Sequence, residues 1–185
     1  NTGGMGAYSP ALIVTADILK EIMEKIIYRA IDGLVKEGID YRGVLYAGII
    51  LTKEGPKTLE FNARFGDPET EAILPRLKSD LVEIMLATSE RKLSRIRTLE
   101  WDSRACVCVV CASAGYPGNY AKDKEIHGLD EAVKLDDLIV FHAGTRELAN
   151  SRTRERTIVT SGGRVLGVTG LGVTIKDAIN KTYTA

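Results

Sequence analysis

Thr58-Leu59-Glu60-Phe61-Asn62-Ala63-Arg64-Phe65-Gly66-Asp67-Pro68-Glu69 alternates between polar and apolar residues from Thr58 to Phe65. Successive side chains of a strand point to opposite faces. The spacing therefore predicts a strand over Thr58–Phe65 with Glu60, Asn62 and Arg64 on one face and Leu59, Phe61, Ala63 and Phe65 on the other. An acid, an amide and a guanidinium on one face suit a metal-phosphate site. Glu60 and Asn62 both offer hard oxygen, which fits Mg²⁺ or Mn²⁺ and not a soft metal. Arg64 can fork onto a phosphoryl group. The same row also reads as a solvent-facing strand with an exposed ion pair, because polar outer faces are common in antiparallel sheets. Asp67 and Pro68 read as the cap and first position of a following helix.

Working outward, Tyr41–Leu51 reads as the partner strand, joined through a turn at Lys53-Glu54-Gly55-Pro56. Upstream of it, Ile18, Ile22, Met23, Ile26, Ile27, Ala30, Ile31 and Leu34 recur at helical spacing. They predict a helix from Thr15, its cap, to Glu37, with a buried apolar stripe and a stop at Gly38. Asn1–Pro10, with Gly3, Gly4 and Gly6, reads as a loop whose glycines let backbone N–H groups approach a ligand. Pro75 interrupts the helix after Pro68, and a second helix runs from Ser79 to Thr88. Beyond the basic stretch Arg91–Arg97 the pattern turns to β, with strands at Ala105–Ala112, Leu138–His142, Thr157–Thr160 and Arg164–Thr169 and a closing helix over Thr174–Tyr183. The division is placed near Leu99, giving residues 1–98 and 99–185 as two domains.

Composition narrows the function class. The chain has 185 residues and a formal net charge of zero, so no general electrostatic attraction to nucleic acid or a membrane surface is expected. Its longest apolar runs are strand-length. Cys106, Cys108 and Cys111 crowd into one run, which reads as a strand using Cys as a small hydrophobe rather than a disulfide framework or a metal site. A reducing, cytoplasmic setting fits this usage. Neither His127 nor His142 has neighbours in sequence at ligand spacing. Both ends of the sequence fall inside expected elements, which predicts part of a longer polypeptide.

Leu59-Glu60-Phe61-Asn62-Ala63-Arg64 resembles the metal-binding strand of the ATP-grasp ligases, and Arg64-Phe65-Gly66-Asp67-Pro68-Glu69 resembles the signature of the glycinamide ribonucleotide synthetase (phosphoribosylamine–glycine ligase) family. Asn1–Pro10, Tyr41–Lys53, Leu77–Leu81, Gly115-Tyr116-Pro117-Gly118, Phe141–Thr145 and Gly162-Gly163-Arg164-Val165-Leu166 look like that family in its order. The resemblance implies an α+β fold: the C-terminal part of an ATP-grasp domain, then a small β-rich domain. It implies a ligase that joins glycine to phosphoribosylamine in purine synthesis, through glycyl phosphate, with ATP and Mg²⁺ or Mn²⁺. Glu60 and Asn62 match the metal ligands and Arg64 the arginine that steadies the phosphoryl group. Gly3, Gly4, Met5 and Gly6 match a loop on the substrate side, and Asp67 a position of the signature.

The sequence departs from the family at Leu12, where proline is usual, and at Glu71, where glutamine or another neutral residue is usual. No acid lies in Val44–Leu51, where many ATP-grasp enzymes place a further metal carboxylate. The family's lid and N-terminal domain would precede Asn1, so residues 1–185 alone are expected to be inactive, and other purine-pathway domains are conceivable partners in a parent chain. Two other readings stand beside this one: a different ATP-grasp ligase or carboxylase, and a non-catalytic binding module.

Overall fold

A computed structural model describes residues 4–149 and 156–185. In chain order it contains β1 (Gly6–Ser9), α1 (Ala16–Ile22), a π-helical segment (Met23–Ile27), α2 (Tyr28–Lys36), β2 (Tyr46–Thr52), β3 (Gly55–Asn62), α3 (Glu69–Ile73) and a 3₁₀ turn (Leu74–Arg76). Then come α4 (Leu81–Ser89), a second 3₁₀ turn (Leu93–Arg95), β4 (Ala105–Ala112), α5 (Leu129–Ala132), β5 (Leu138–His142), β6 (Thr145–Ala149), β7 (Arg156–Thr160), β8 (Arg164–Gly172) and α6 (Ile175–Thr184). The class is α+β, with every strand pairing antiparallel. The chain forms two compact units: one from residues 1–10, 67–76 and 102–185, the other from 11–66 and 77–101.

In the first unit, β1, β4, β8 and β5 form a four-stranded sheet in that order. The apolar run Ala105–Ala112 becomes the inner strand β4, pairing β1 through Cys108 opposite Ala7 and β8 through Cys108 opposite Thr169. Strands flanked on both sides read as apolar runs, as β4 and β8 do. On one face α3 seats Ala72 against Ala7 and Cys108, all three buried. The Cys106 thiol points at the Glu71 carbonyl at 4.0 Å. Helix α6 packs on β4 and β8, its buried Thr182 hydroxyl 2.8 Å from the Ala178 carbonyl and 3.1 Å from that of Val107. Its start carries a full capping box, Thr174 and Asp177 each bonding the other's backbone N–H. A separate ribbon pairs β6 with β7.

Below the sheet edge, Arg76 ties three segments of this unit together. Its guanidinium donates to the Ser9 hydroxyl and to the backbone carbonyls of Arg104 (2.8 Å) and Asp102 (3.1 Å). Arg104 in turn grips Asp102 and Asp137, and Lys181 of α6 reaches Asp137 at 2.6 Å.

The second unit holds the hairpin and the long helix. Thr15 caps the helix as expected, its hydroxyl accepting from the Ile18 N–H at 3.3 Å. The helix passes through the π-helical turn and stops at Gly38, whose φ is +73°. The expected buried stripe is only half-buried: Ile22 alone is buried, and Ile31 is exposed. The α1 part of the helix packs against β3 of the hairpin. Helix α4 begins at Leu81, two residues after the expected start at Ser79, and Asp80 caps it through the Val82 and Glu83 N–H groups.

Other expectations change too. Asn1–Pro10 is not wholly a loop, because Gly6–Ser9 pairs with Cys106–Val109 some hundred residues away, a partnership no local pattern carries. Strand β2 begins at Tyr46 rather than Tyr41, since Tyr41 turns its hydroxyl onto the Val44 carbonyl. Strand β3 starts at Gly55 and ends at Asn62, leaving Arg64 beyond it. Asp67 does not cap α3. The capping position is Pro68, with no side-chain cap bond, and the Asp67 carboxylate turns to Arg164 instead.

Candidate functional site

The hairpin sets the row. Gly48 on β2 stands opposite Glu60 on β3, and Tyr46 opposite Asn62. A Cβ added at Gly48 would lie 3.1 Å from Glu60 Cγ, close enough that Glu60 would have to give by a few tenths of an ångström. Past Gly48 the register shifts, with Ile49 opposite Thr58, so Leu59 is the extra residue of a bulge. Bulges re-aim side chains next to working sites. Glu60 is exposed and Asn62 half-buried. A residue and its second neighbour on a strand repeat after about 7 Å, a span that a carboxylate and an amide can close onto one ion.

Arg64 sits in the bend after β3, where its Nη1 donates to the Phe65 carbonyl at 2.8 Å. It is exposed. Its place in the row comes from chain adjacency and not from strand alternation.

The glycine-rich loop is held in the first unit. Gly3 lies outside the described residues. Gly4 has φ +77°. The Met5 carbonyl accepts from the Val110 N–H at 2.9 Å, and Gly6 opens β1 opposite Val109. Arg164, at the start of β8, reaches this loop: its Nη1 lies 3.3 Å from the Gly4 carbonyl, the Asp67 carbonyl and Asp67 Oδ1. Gly4 and Asp67, far apart in sequence, thus share one guanidinium. No role for Arg164 is legible from sequence alone. Its signals there are the Gly-Gly before it and its place in the Gly162–Leu166 run that resembles the family.

Glu71 of α3 also went unassigned as a site residue. Its side chain passes beside Gly167, and its Oε2 is buried with no hydrogen-bond partner among the described residues. Burial pushes its carboxyl above the usual glutamate range. Its own backbone opposes that rise, Asp67 and Glu69 add to it, and Arg164 counters it.

The remaining candidates are structural. Cys106 and Cys108 are buried and Cys111 is exposed, none in a disulfide. Burial raises the Cys106 thiol to about 12 and Cys108 to about 11, so both stay protonated at neutral pH. His142 Nδ1 meets the Thr145 hydroxyl at 3.1 Å, and His127 faces Glu125 at 3.8 Å. Among the described residues, no group of three or more His, Cys, Asp and Glu is placed to hold a metal ion. The Glu60–Asn62 pair has one carboxylate and one amide, a donor set suited to a magnesium-type ion that keeps water and phosphate oxygens as its other ligands.

The models of phosphoribosylglycinamide synthetase match this chain twice: the ATP-grasp (A) domain over residues 1–70 and the C domain over residues 106–185. A phosphoribosylamine–glycine ligase of Caldanaerobacter subterraneus is 52% identical over 183 residues, covering 99% of this chain and 42% of its own length. The trifunctional purine biosynthetic protein adenosine-3 of Gallus gallus is 51% identical over 98% of this chain, which spans 17% of it. The crystal structure of phosphoribosylamine–glycine ligase from Thermotoga maritima superposes with a TM-score of 0.74 at 34% identity, over 100% of this chain and 43% of that one. The chain thus spans about two fifths of the single-function relatives it matches.

Proposed function

Because the chain belongs to the phosphoribosylglycinamide synthetase family, we propose that it supplies part of an ATP-dependent carbon–nitrogen ligase that joins glycine to phosphoribosylamine. The observation that carries this reading is identity of about one half to a phosphoribosylamine–glycine ligase along 99% of the chain, with Glu60 and Asn62 set on one strand and Glu60 opposite Gly48. In this reaction ATP phosphorylates the glycine carboxylate, and the amine of phosphoribosylamine attacks the acyl phosphate. The products are glycinamide ribonucleotide, ADP and phosphate.

Each residue then has a task. Glu60 and Asn62 would hold Mg²⁺ or Mn²⁺ through oxygen donors, an ion that neutralises phosphate charge when bound. Arg64, exposed in the bend, forks onto the phosphoryl group. The loop of Gly3, Gly4, Met5 and Gly6, with Asp67, lines the substrate side. Residues 1–98 are the closing part of the ATP-grasp domain and 99–185 the small β-rich domain. Further purine-pathway domains in a parent chain fit the trifunctional relative. Among the described residues no helix is long and apolar enough to cross a membrane, and a cytoplasmic enzyme with small-molecule substrates fits the reading.

The test is product formation by a polypeptide of the relatives' length that carries this segment. ADP release that requires both glycine and phosphoribosylamine, with glycinamide ribonucleotide identified by mass, supports the proposal. ADP release indifferent to glycine contradicts it.

A further inference from the structure

Arg164 joins two segments that the proposed ligase uses on its substrate side. Its Nη1 has three acceptors at 3.3 Å: the Gly4 carbonyl, the Asp67 carbonyl and Asp67 Oδ1. The approach to Gly4 is close, since a Cβ there would stand 3.1 Å from Nη1 while φ is +77°. The loop backbone therefore rests on the guanidinium in a conformation that L side chains resist.

The neighbouring residues are fixed independently. Met5 and Gly6 are anchored on β4. The Arg164 carbonyl accepts from the Gly144 N–H at 2.9 Å, and Arg164 pairs with Ala112. Both ends of the Arg164–Gly4 contact thus start from sheet positions. The Arg164 and Asp67 side chains are 34% and 59% exposed. A pair so open to solvent contributes little to global stability, so what it sets is the local shape of the loop and the turn. The charges of Asp67, Glu69 and Arg164 all act on the Glu71 carboxyl, the two acids raising its proton affinity and the guanidinium lowering it, so the four share one neighbourhood.

We infer that Arg164 is a positioning residue of the ligase: its guanidinium fixes Gly4 against Asp67 and so holds the substrate-side loop in its working conformation. The inference rests on the ligase reading for its kinetic consequence but not for its structural one, and two measurements separate them.

Both use the polypeptide of the relatives' length, as wild type, Arg164→Met, Arg164→Lys, Asp67→Ala and the Arg164→Met/Asp67→Ala pair. Amide hydrogen exchange without substrates reads the loop. The expected result for Arg164→Met is exchange at least about tenfold faster at Gly4–Gly6, with β4 and β8 unchanged. Steady-state kinetics reads the consequence. The KM for glycine or phosphoribosylamine should rise about tenfold or more, with the KM for ATP within about twofold. Arg164→Lys should recover part of that loss. The double variant should lose no more than the worse single one, as coupled residues do. Unchanged loop exchange in Arg164→Met overturns the inference, and so does loss of the fold in both Arg164 variants, which would make the residue structural. An equal loss for all three substrates, or additive effects in the pair, also overturns it. A wild type that makes no product would sink the ligase reading while the exchange result still decides the positioning role.

Discussion

Glu60 faces Gly48 across the β2–β3 hairpin so closely that a methyl group there would stand 3.1 Å from Glu60 Cγ. A side chain at 48 therefore requires Glu60 to give by a few tenths of an ångström, which shifts the start of its carboxylate arm. A glycine that looks like a weak point in a strand thus lies against a residue of the proposed metal site.

Gly48→Ala is expected to weaken metal use without unfolding the protein. Misplacing a catalytic group by a fraction of an ångström costs on the order of tenfold in rate. Turnover at limiting Mg²⁺ should fall by about that factor, and saturating Mg²⁺ should restore part of it. Rates measured across a Mg²⁺ series check this. An unchanged Mg²⁺ dependence would show that the hairpin does not aim Glu60.

Glu71→Gln is expected to remove a pH-dependent loss of stability. Burial raises the folded-state value of this carboxyl above that of the unfolded chain. The native state therefore binds more protons than the unfolded one between those two values, and stability falls as pH rises through that window. Above it the ionised Glu71, whose buried Oε2 has no hydrogen-bond partner among the described residues, remains a destabilising group. Glutamine has no proton to lose, so the variant should show a flatter stability profile above the glutamate range and a higher melting temperature at neutral pH. Chemical denaturation at pH 4, 5, 6 and 7 measures it.

Arg76→Met should destabilise the unit that contains the four-stranded sheet. The substitution keeps most of the aliphatic length but removes hydrogen bonds to Ser9, Arg104 and Asp102. Leaving those partners unmet costs about 2 kcal/mol. A melting temperature lower by roughly 4–8 °C is expected for a chain of this size. Calorimetry gives the value, and an unaltered transition would mean that Arg76 is replaceable by its stem.

The parts of the fold that the sequence disclosed are those written in local patterns. Ala105–Ala112 and Leu138–His142 are strands with the bounds their apolar runs suggest. Thr15 and Gly38 mark the limits of the long helix because capping chemistry is local. The parts that stayed hidden depend on distant partners. Gly6–Ser9 becomes a strand only because β4 has an open edge for it, and Asp67 leaves its expected capping role because Arg164, ninety-seven residues away, competes for its carboxylate. The same holds in the site. Glu60 and Asn62 were legible from alternation, while Arg64 falls outside the strand that alternation drew. Gly48 meets Glu60 through register, and Arg164 meets Gly4 and Asp67 through close approach, relationships that no single stretch of sequence displays.

The proposed function requires Glu60 to hold the metal of a glycine-activating ligase. The direct measurement is Mn²⁺ binding followed by electron paramagnetic resonance, with ADP present, in the polypeptide of the relatives' length and its Glu60→Ala variant, alongside glycinamide ribonucleotide formation. The expected result is a nucleotide-dependent Mn²⁺ site in the wild type, and loss of both that site and detectable product in Glu60→Ala with the fold retained. A Glu60→Ala protein that binds Mn²⁺ and turns over like wild type would contradict it.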